Sequence, residues 1–162
     1  MKIGLAIERL ADAERELADR LVAVGERHRT DHDVFHLTRT LAGIERSHVE
    51  ALGFHAARYG TDLGSDDRGI GPPKLARALA EKSAELLGRR PEPGLLLLHD
   101  LRELHLLASG TSLDWVALGQ AAQAARDNEL LATVTSCHPG TLRTLKWTTY
   151  RVKEAAPQVL TG

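Results

Sequence analysis

The sequence predicts an all-α protein: a four-helix bundle with one long crossover carrying a short extra helix. Three observations predict it. Ala, Leu, Glu and Arg dominate the 162 residues, the composition of a helical chain. Apolar residues recur at alternating steps of three and four along four long segments, the spacing of one buried helical face. Two short breaks and one long Gly-, Asp- and Pro-rich stretch separate those segments. The length suits a single bundle domain, 1–162, with a sizeable core.

The first helix is expected over 3–29. Its inner row is Ile3, Ile7, Leu10, Glu14, Leu17, Leu21, Val24 and His28, with Glu14 the one acid in an otherwise apolar run. Thr30 to Asp33 carries N-cap chemistry. A break this short makes the next helix, expected over 33–59, the antiparallel partner of the first. Its row is Val34, Leu37, Leu41, Ile44, His48, Ala51 and His55, flanked by Glu45 and Leu52, and Gly60 closes it. Thr61 to Pro73 reads as a loop, and a short helix is expected over 74–87.

The third long helix is expected over 93–126, with Pro93 in its first turn. Leu97, Leu101, Leu104, Ala108, Thr111, Trp115, Leu118, Ala122 and Ala125 form its row. That period carries through Gly110 to Ser112 and favours one bent helix over two. Leu95 and Leu106 face away from the row and suit a subunit interface or cover from the short helix. The last helix is expected over 128–157. Its row is Leu131, Val134, Thr135, His138, Leu142, Leu145, Thr149, Val152 and Ala156, with a kink or split at Pro139. On this phase Trp115 is core, and Trp147 lies off the row as an interface residue.

Composition excludes several function classes. Lys+Arg 21 against Asp+Glu 22 gives a net charge of -1, and aromatic residues make up only 4%. Neither nucleic acid nor a membrane surface is an expected partner. No apolar run approaches the ~20 residues that span a bilayer. Glu8, Arg9 and Asp12 interrupt the start as a signal peptide would not allow. Cys137 is the only cysteine, so no internal disulfide forms, which fits a cytoplasmic location.

Glu45-Arg46-Ser47-His48 places an acid and an imidazole one helical turn apart, on one face. With Ala13-Glu14-Arg15-Glu16-Leu17, and with the long connection before a second hairpin, this stretch resembles the ferritin-like superfamily. The likeness is greatest to its small bacterial members of the YciE/YciF stress-protein kind. The resemblance implies a four-helix bundle with one crossover, dimerisation, and Glu14, Glu45 and His48 as metal ligands. The second hairpin departs from the pattern. Thr111 to Trp115 holds no inward acid, and the second Glu-x-x-His step reads Thr135-Ser136-Cys137-His138. A complete di-iron centre is therefore not expected.

Helix heights bring the same residues together. In a one-crossover bundle Glu14, His48 and His138 each lie roughly eleven or twelve residues from one end, about 16–18 Å at 1.5 Å per residue. Convergence of Glu14, Glu45, His48 and His138 would suit a single divalent transition metal, Fe, Mn or Zn. The competing reading is a buried hydrogen-bonded Glu–His pair that sets helix register and holds no ion. A surface group of His28, His32, His36, His99 and Glu103 is a secondary metal candidate, against ordinary solvated and capping roles. Three functions remain open. They are a weakly metal-binding bundle without catalysis, a divergent metal-dependent oxidase, and a purely structural or partner-binding homodimer.

Overall fold

The computed structural model describes residues 2–64 and 92–162, and four long helices dominate them with no strand. They are α1 (Ile3–Arg27), α2 (His32–Ala56), α3 (Pro93–Ala124) and α4 (Asn128–Thr161). The short helix expected over 74–87 lies outside the described residues.

Local chemistry sets the helix ends. Asp31 caps α2 by accepting from the Val34 N–H at 3.2 Å, and Asp127 caps α4 by accepting from the Leu130 N–H at 3.0 Å. A 3-10 turn, Ala57–Tyr59, tightens the end of α2 before Gly60 takes a left-handed φ of 71°. Between α3 and α4 the left-handed position falls to Arg126, φ 57°, the only such non-glycine among the described residues.

α1 packs on α2 and on α3, and α4 packs on α3 and on α2. Contacts at the two ends give the directions. His28 and Arg27, at the close of α1, meet Asp100 near the start of α3. Asp31, at the start of α2, pairs with Arg151 near the close of α4. Tyr59, after α2, donates to Asp127 at the start of α4. Helices α2 and α3 thus begin at the same end of the bundle, as a one-crossover connection requires. The chain leaving α2 turns back along α1: Thr61 donates to Glu8, and the Arg15 guanidinium holds the Leu63 carbonyl at 2.6 Å.

The core has two apolar parts with a polar waist between them. On one side lie Ile7, Leu10, Leu52, Trp115, Leu118 and Leu130. On the other lie Leu17, Leu21, Leu41, Leu101, Leu104 and Trp147. In between, in chain order on every helix, come Glu14, Glu45 with His48, Thr111, and Thr141 with Thr144, all buried.

The predicted rows of α1 and α3 match the buried residues closely, and α3 runs unbroken through Gly110 to Ser112. In α2, Glu45 and Leu52 are fully buried where flanking positions were expected. The row of α4 is a correction. The buried residues are Leu130, Val134, Cys137, Thr141, Thr144, Trp147 and Thr148, whereas Thr135, Leu142 and Thr149 are exposed. The inward face is turned by one residue, about 100°. Leucines led the expected phase, but at the waist the inward residues are threonines. Trp147 is accordingly core and not an interface residue. Pro139 does not split α4, and Pro157 lies inside a helix that continues to Thr161. Leu95 and Leu106 are exposed, as expected. No helix among the described residues is long and apolar enough to cross a membrane.

Candidate functional site

The waist brings Glu14 of α1 together with Glu45 and His48 of α2. The three-residue step on α2 aims both of its side chains at the bundle axis, and Glu14 stands at the same height on the antiparallel neighbour. The His48 Nδ1 lies 3.1 Å from Glu14 Oε1 and 3.2 Å from Glu45 Oε2. Glu14 and Glu45 have no exposure to solvent, and His48 has 4%. One donor atom from each residue lies within 4.8 Å of the others. This is the one such group of three among the described residues.

The second hairpin closes the site with neutral donors. Thr144 Oγ1 donates to Glu45 Oε1 at 2.7 Å, and the Trp115 indole Nε1 donates to Glu14 Oε1 at 2.5 Å. Thr141 Oγ1 sits 3.0 Å from Glu14 Oε1 and 3.2 Å from Glu45 Oε2. A hydroxyl has one proton, so Thr141 donates to one carboxylate at a time. The His48 ring meets Trp115 edge to face, with centroids 5.6 Å apart. Glu14 Oε1 thus has three neighbouring donors, while Glu14 Oε2 is buried with no hydrogen-bond partner among the described residues.

Two carboxylates and an imidazole in so dry a place cannot titrate independently. Burial pushes Glu14 up to about 7, with the Glu45 carboxylate adding to the rise and His48 opposing it. Burial would push Glu45 up too, but hydrogen bonds from His48, Glu14 and Thr144 outweigh it and hold Glu45 below the usual carboxylate value. Burial pulls His48 down, yet its hydrogen bonds and ion pairs to both carboxylates prevail and raise it to about 9. These directions favour a charged His48 beside an ionised Glu45, with Glu14 the carboxyl that holds a proton more readily.

The donor set fits a divalent transition metal. Carboxylate oxygen and imidazole nitrogen at bond lengths of about 2.0–2.2 Å stand about 3–3.5 Å apart around an octahedral or tetrahedral ion. The His48–Glu14 and His48–Glu45 separations are already of that size. Glu14 Oε2 accepts no hydrogen bond among the described residues, so in ionised Glu14 it is a buried anionic atom that a proton shared with Glu45, or a cation, would satisfy. Two trivalent ions would find too few acids here.

The other expected ligands lie elsewhere. His138 is half-buried, with Nε2 2.8 Å from Ser112 Oγ, and it is not in the three-residue group. Burial and the charge on His48 hold it below its ordinary value. At the level of Glu45-x-x-His48, helix α4 presents Thr141-x-x-Thr144 and not Thr135-x-x-His138. Cys137 is buried, and desolvation pushes its thiol up to about 11, so it is inert.

The secondary group is dispersed. His28 is buried with Nε2 2.8 Å from Asp100 Oδ2. His32 and His36 are exposed, with ring centroids 6.4 Å apart. Glu103 pairs with Arg102, and His99 is half-buried on α3. Sequence reasoning missed Thr141 and Thr144 and gave Trp115 only a packing role. The available signal was the spacing itself: two threonines three residues apart, repeating the acid–imidazole step of α2.

No protein-family model, no curated protein and no solved structure matches this chain.

Proposed function

We propose that the protein is a ferritin-like helical bundle that binds one divalent transition metal, Fe(II), Mn(II) or Zn(II), through Glu14, Glu45 and His48. The observation that carries this reading is the buried Glu14 Oε2 without a partner, beside two further donors at coordination spacing. Glu14 and Glu45 would hold the ion as charge-neutralising ligands and His48 as the nitrogen ligand. Trp115, Thr141 and Thr144 would fix the carboxylates from outside, the role that outer-sphere hydrogen bonds play at metal sites. When bound, the ion would supply Lewis acidity, and with Fe or Mn a redox couple. A single ion held by so few acids favours binding over the two-metal oxidase chemistry of complete ferritin-like centres.

Elemental analysis of tag-free protein, together with Mn(II) and Zn(II) titration, tests the reading. About one ion per chain is expected, lost in Glu45→Ala and in His48→Ala. A folded wild-type protein that takes up no divalent metal, and whose melting temperature ignores chelator, would sink it. The waist would then be a hydrogen-bonded layer that sets helix register.

A further inference from the structure

We infer that Gly140 is a positioning residue of the waist: the side chain missing at this point of α4 leaves the space in which the His48 ring stands to face both carboxylates. A Cβ built at Gly140 would lie 2.6 Å from His48 Nε2, 2.7 Å from His48 Cε1 and 2.8 Å from Ile44 Cγ2. Those separations are well inside the ~3.5–4.0 Å of comfortable heavy-atom contact. The ring has nowhere to retreat. Its Nδ1 is already at hydrogen-bond distance from Glu14 and Glu45, and its edge rests on Trp115. A Cβ at this position therefore forces the imidazole to rotate off the carboxylates, or forces α4 away from α2.

The place of Gly140 in the chain supports the inference. It follows Pro139 in the middle of a 34-residue helix, where glycine is a poor helix former. At Gly43, Gly53 and Gly110 a Cβ would meet nothing within 4 Å, so no close neighbour there accounts for the glycine. At Gly140 two neighbours do, Ile44 and the His48 ring, and the closer is the nitrogen ligand of the candidate site. Gly140 and the inward Thr141 belong to one turn of α4. That turn presents a bare backbone to His48 and hydroxyls to the two glutamates.

The experiment compares Gly140→Ala with Gly110→Ala in the full chain. Helix propensity alone raises the melting temperature in both. The inference expects a rise for Gly110→Ala and a fall for Gly140→Ala. In metal-free protein it also expects the Trp115 indole N–H and His48 ring resonances to move only in Gly140→Ala. In the His48→Ala background, Gly140→Ala is expected to lose the part of its penalty that the ring causes and to keep only the part set by Ile44 Cγ2, which keeps the test readable if the single variant folds poorly. An equal penalty in both backgrounds, or unmoved Trp115 and His48 signals, overturns the inference. Its metal arm rests on the function proposed above: Co(II) titration is expected to show at least tenfold weaker binding in Gly140→Ala. A wild-type protein that binds no Co(II) overturns that reading alone, because the metal-free resonances still decide on Gly140.

Discussion

The two hairpins of this bundle meet at the waist with opposite chemistry. The first, α1–α2, brings Glu14, Glu45 and His48, all ionisable and all buried. The second, α3–α4, brings Trp115, Thr141 and Thr144, all neutral and all aimed at the same carboxylates. One hairpin supplies charge and the other supplies donors that hold it in place. The contrast sets how much positive charge the site can take. Two carboxylates match the charge of one divalent ion, or of one imidazolium together with one carboxyl proton, and no side chain that the second hairpin brings to them adds more. It also explains how the two carboxylates survive in the core: three of their four oxygens have hydrogen-bond partners, as buried charge demands.

Moving charge from the first hairpin to the second should have the largest effect. Thr141→Glu with Thr144→His gives α4 the step that α2 already has. Mn(II) bound per chain is expected to rise from one to two, read by elemental analysis. A count that stays at one would show that the hairpins differ in more than their ligands.

Removing charge from the first hairpin should have the next largest effect. Glu45→Ala leaves His48, Thr141 and Thr144 short of an acceptor. A loss of about 3–5 kcal/mol is expected in urea unfolding of metal-free protein, typical of a broken buried ion pair. A loss below about 1 kcal/mol would mean that water replaces the carboxylate at little cost.

The pH dependence sharpens the same point. Glu14, raised from 4.5 to about 7, and His48, raised from 6.5 to about 9, both hold protons more tightly when folded. Their stabilisation is complete below their unfolded values and is lost as pH rises through the folded ones. Glu45, held low, acts in the opposite sense, but only as pH falls below the usual carboxylate range. His55 and His138 are both held down by burial, so they also oppose this trend near neutral pH. The difference in melting temperature between wild type and Glu14→Gln/His48→Ala isolates the waist. It is expected to shrink from about pH 5 to about pH 9. Metal binding should run the other way, strengthening with pH because the ion displaces protons from Glu14 and His48. A metal affinity flat between pH 6 and 9 would contradict these protonation states.

The donors of the second hairpin come next. Thr144→Val removes one hydrogen bond to a charged acceptor without changing shape, an expected loss of about 1.5–3 kcal/mol. Metal affinity should fall by roughly tenfold or more, as when an outer-sphere partner of a ligand is lost. Isothermal titration with Zn(II) reads it, and an unchanged affinity would reduce Thr144 to a packing residue. The smallest effect lies at the turn between α3 and α4. Arg126→Gly should gain about 1 kcal/mol by relieving a left-handed backbone, with the metal count unchanged.

At the waist the first hairpin was more legible than the second, and the difference lies in α4, since the row of α3 was as plain as that of α1. On α1, one acid stood in a run of Ile and Leu, so its burial followed from the period alone. On α2 the acid–imidazole step advertised itself. On α4, Leu131, Leu142 and Leu145 lie one position off the true inner row, and the residues at its centre are threonines. Threonine suits a buried donor and a solvated surface equally, so a polar waist hides the phase of the helix that closes it. Gly140 was invisible for a related reason, since its role is the volume it does not fill.

The sequence by itself determined the four helices, their starts, the row of α1 and α3, and an inward acid–imidazole step. Local propensity, capping chemistry and apolar period fix these, and each acts within a few residues. Only the tertiary structure decided which face of α4 turns inward, that Trp147 is core, and that His138 meets Ser112 and not the carboxylates. The physical reason is that the rotation of a helix about its own axis is chosen by everything packed against it. For α4 that choice was made by two carboxylates on other helices that needed hydroxyl donors more than they needed leucine.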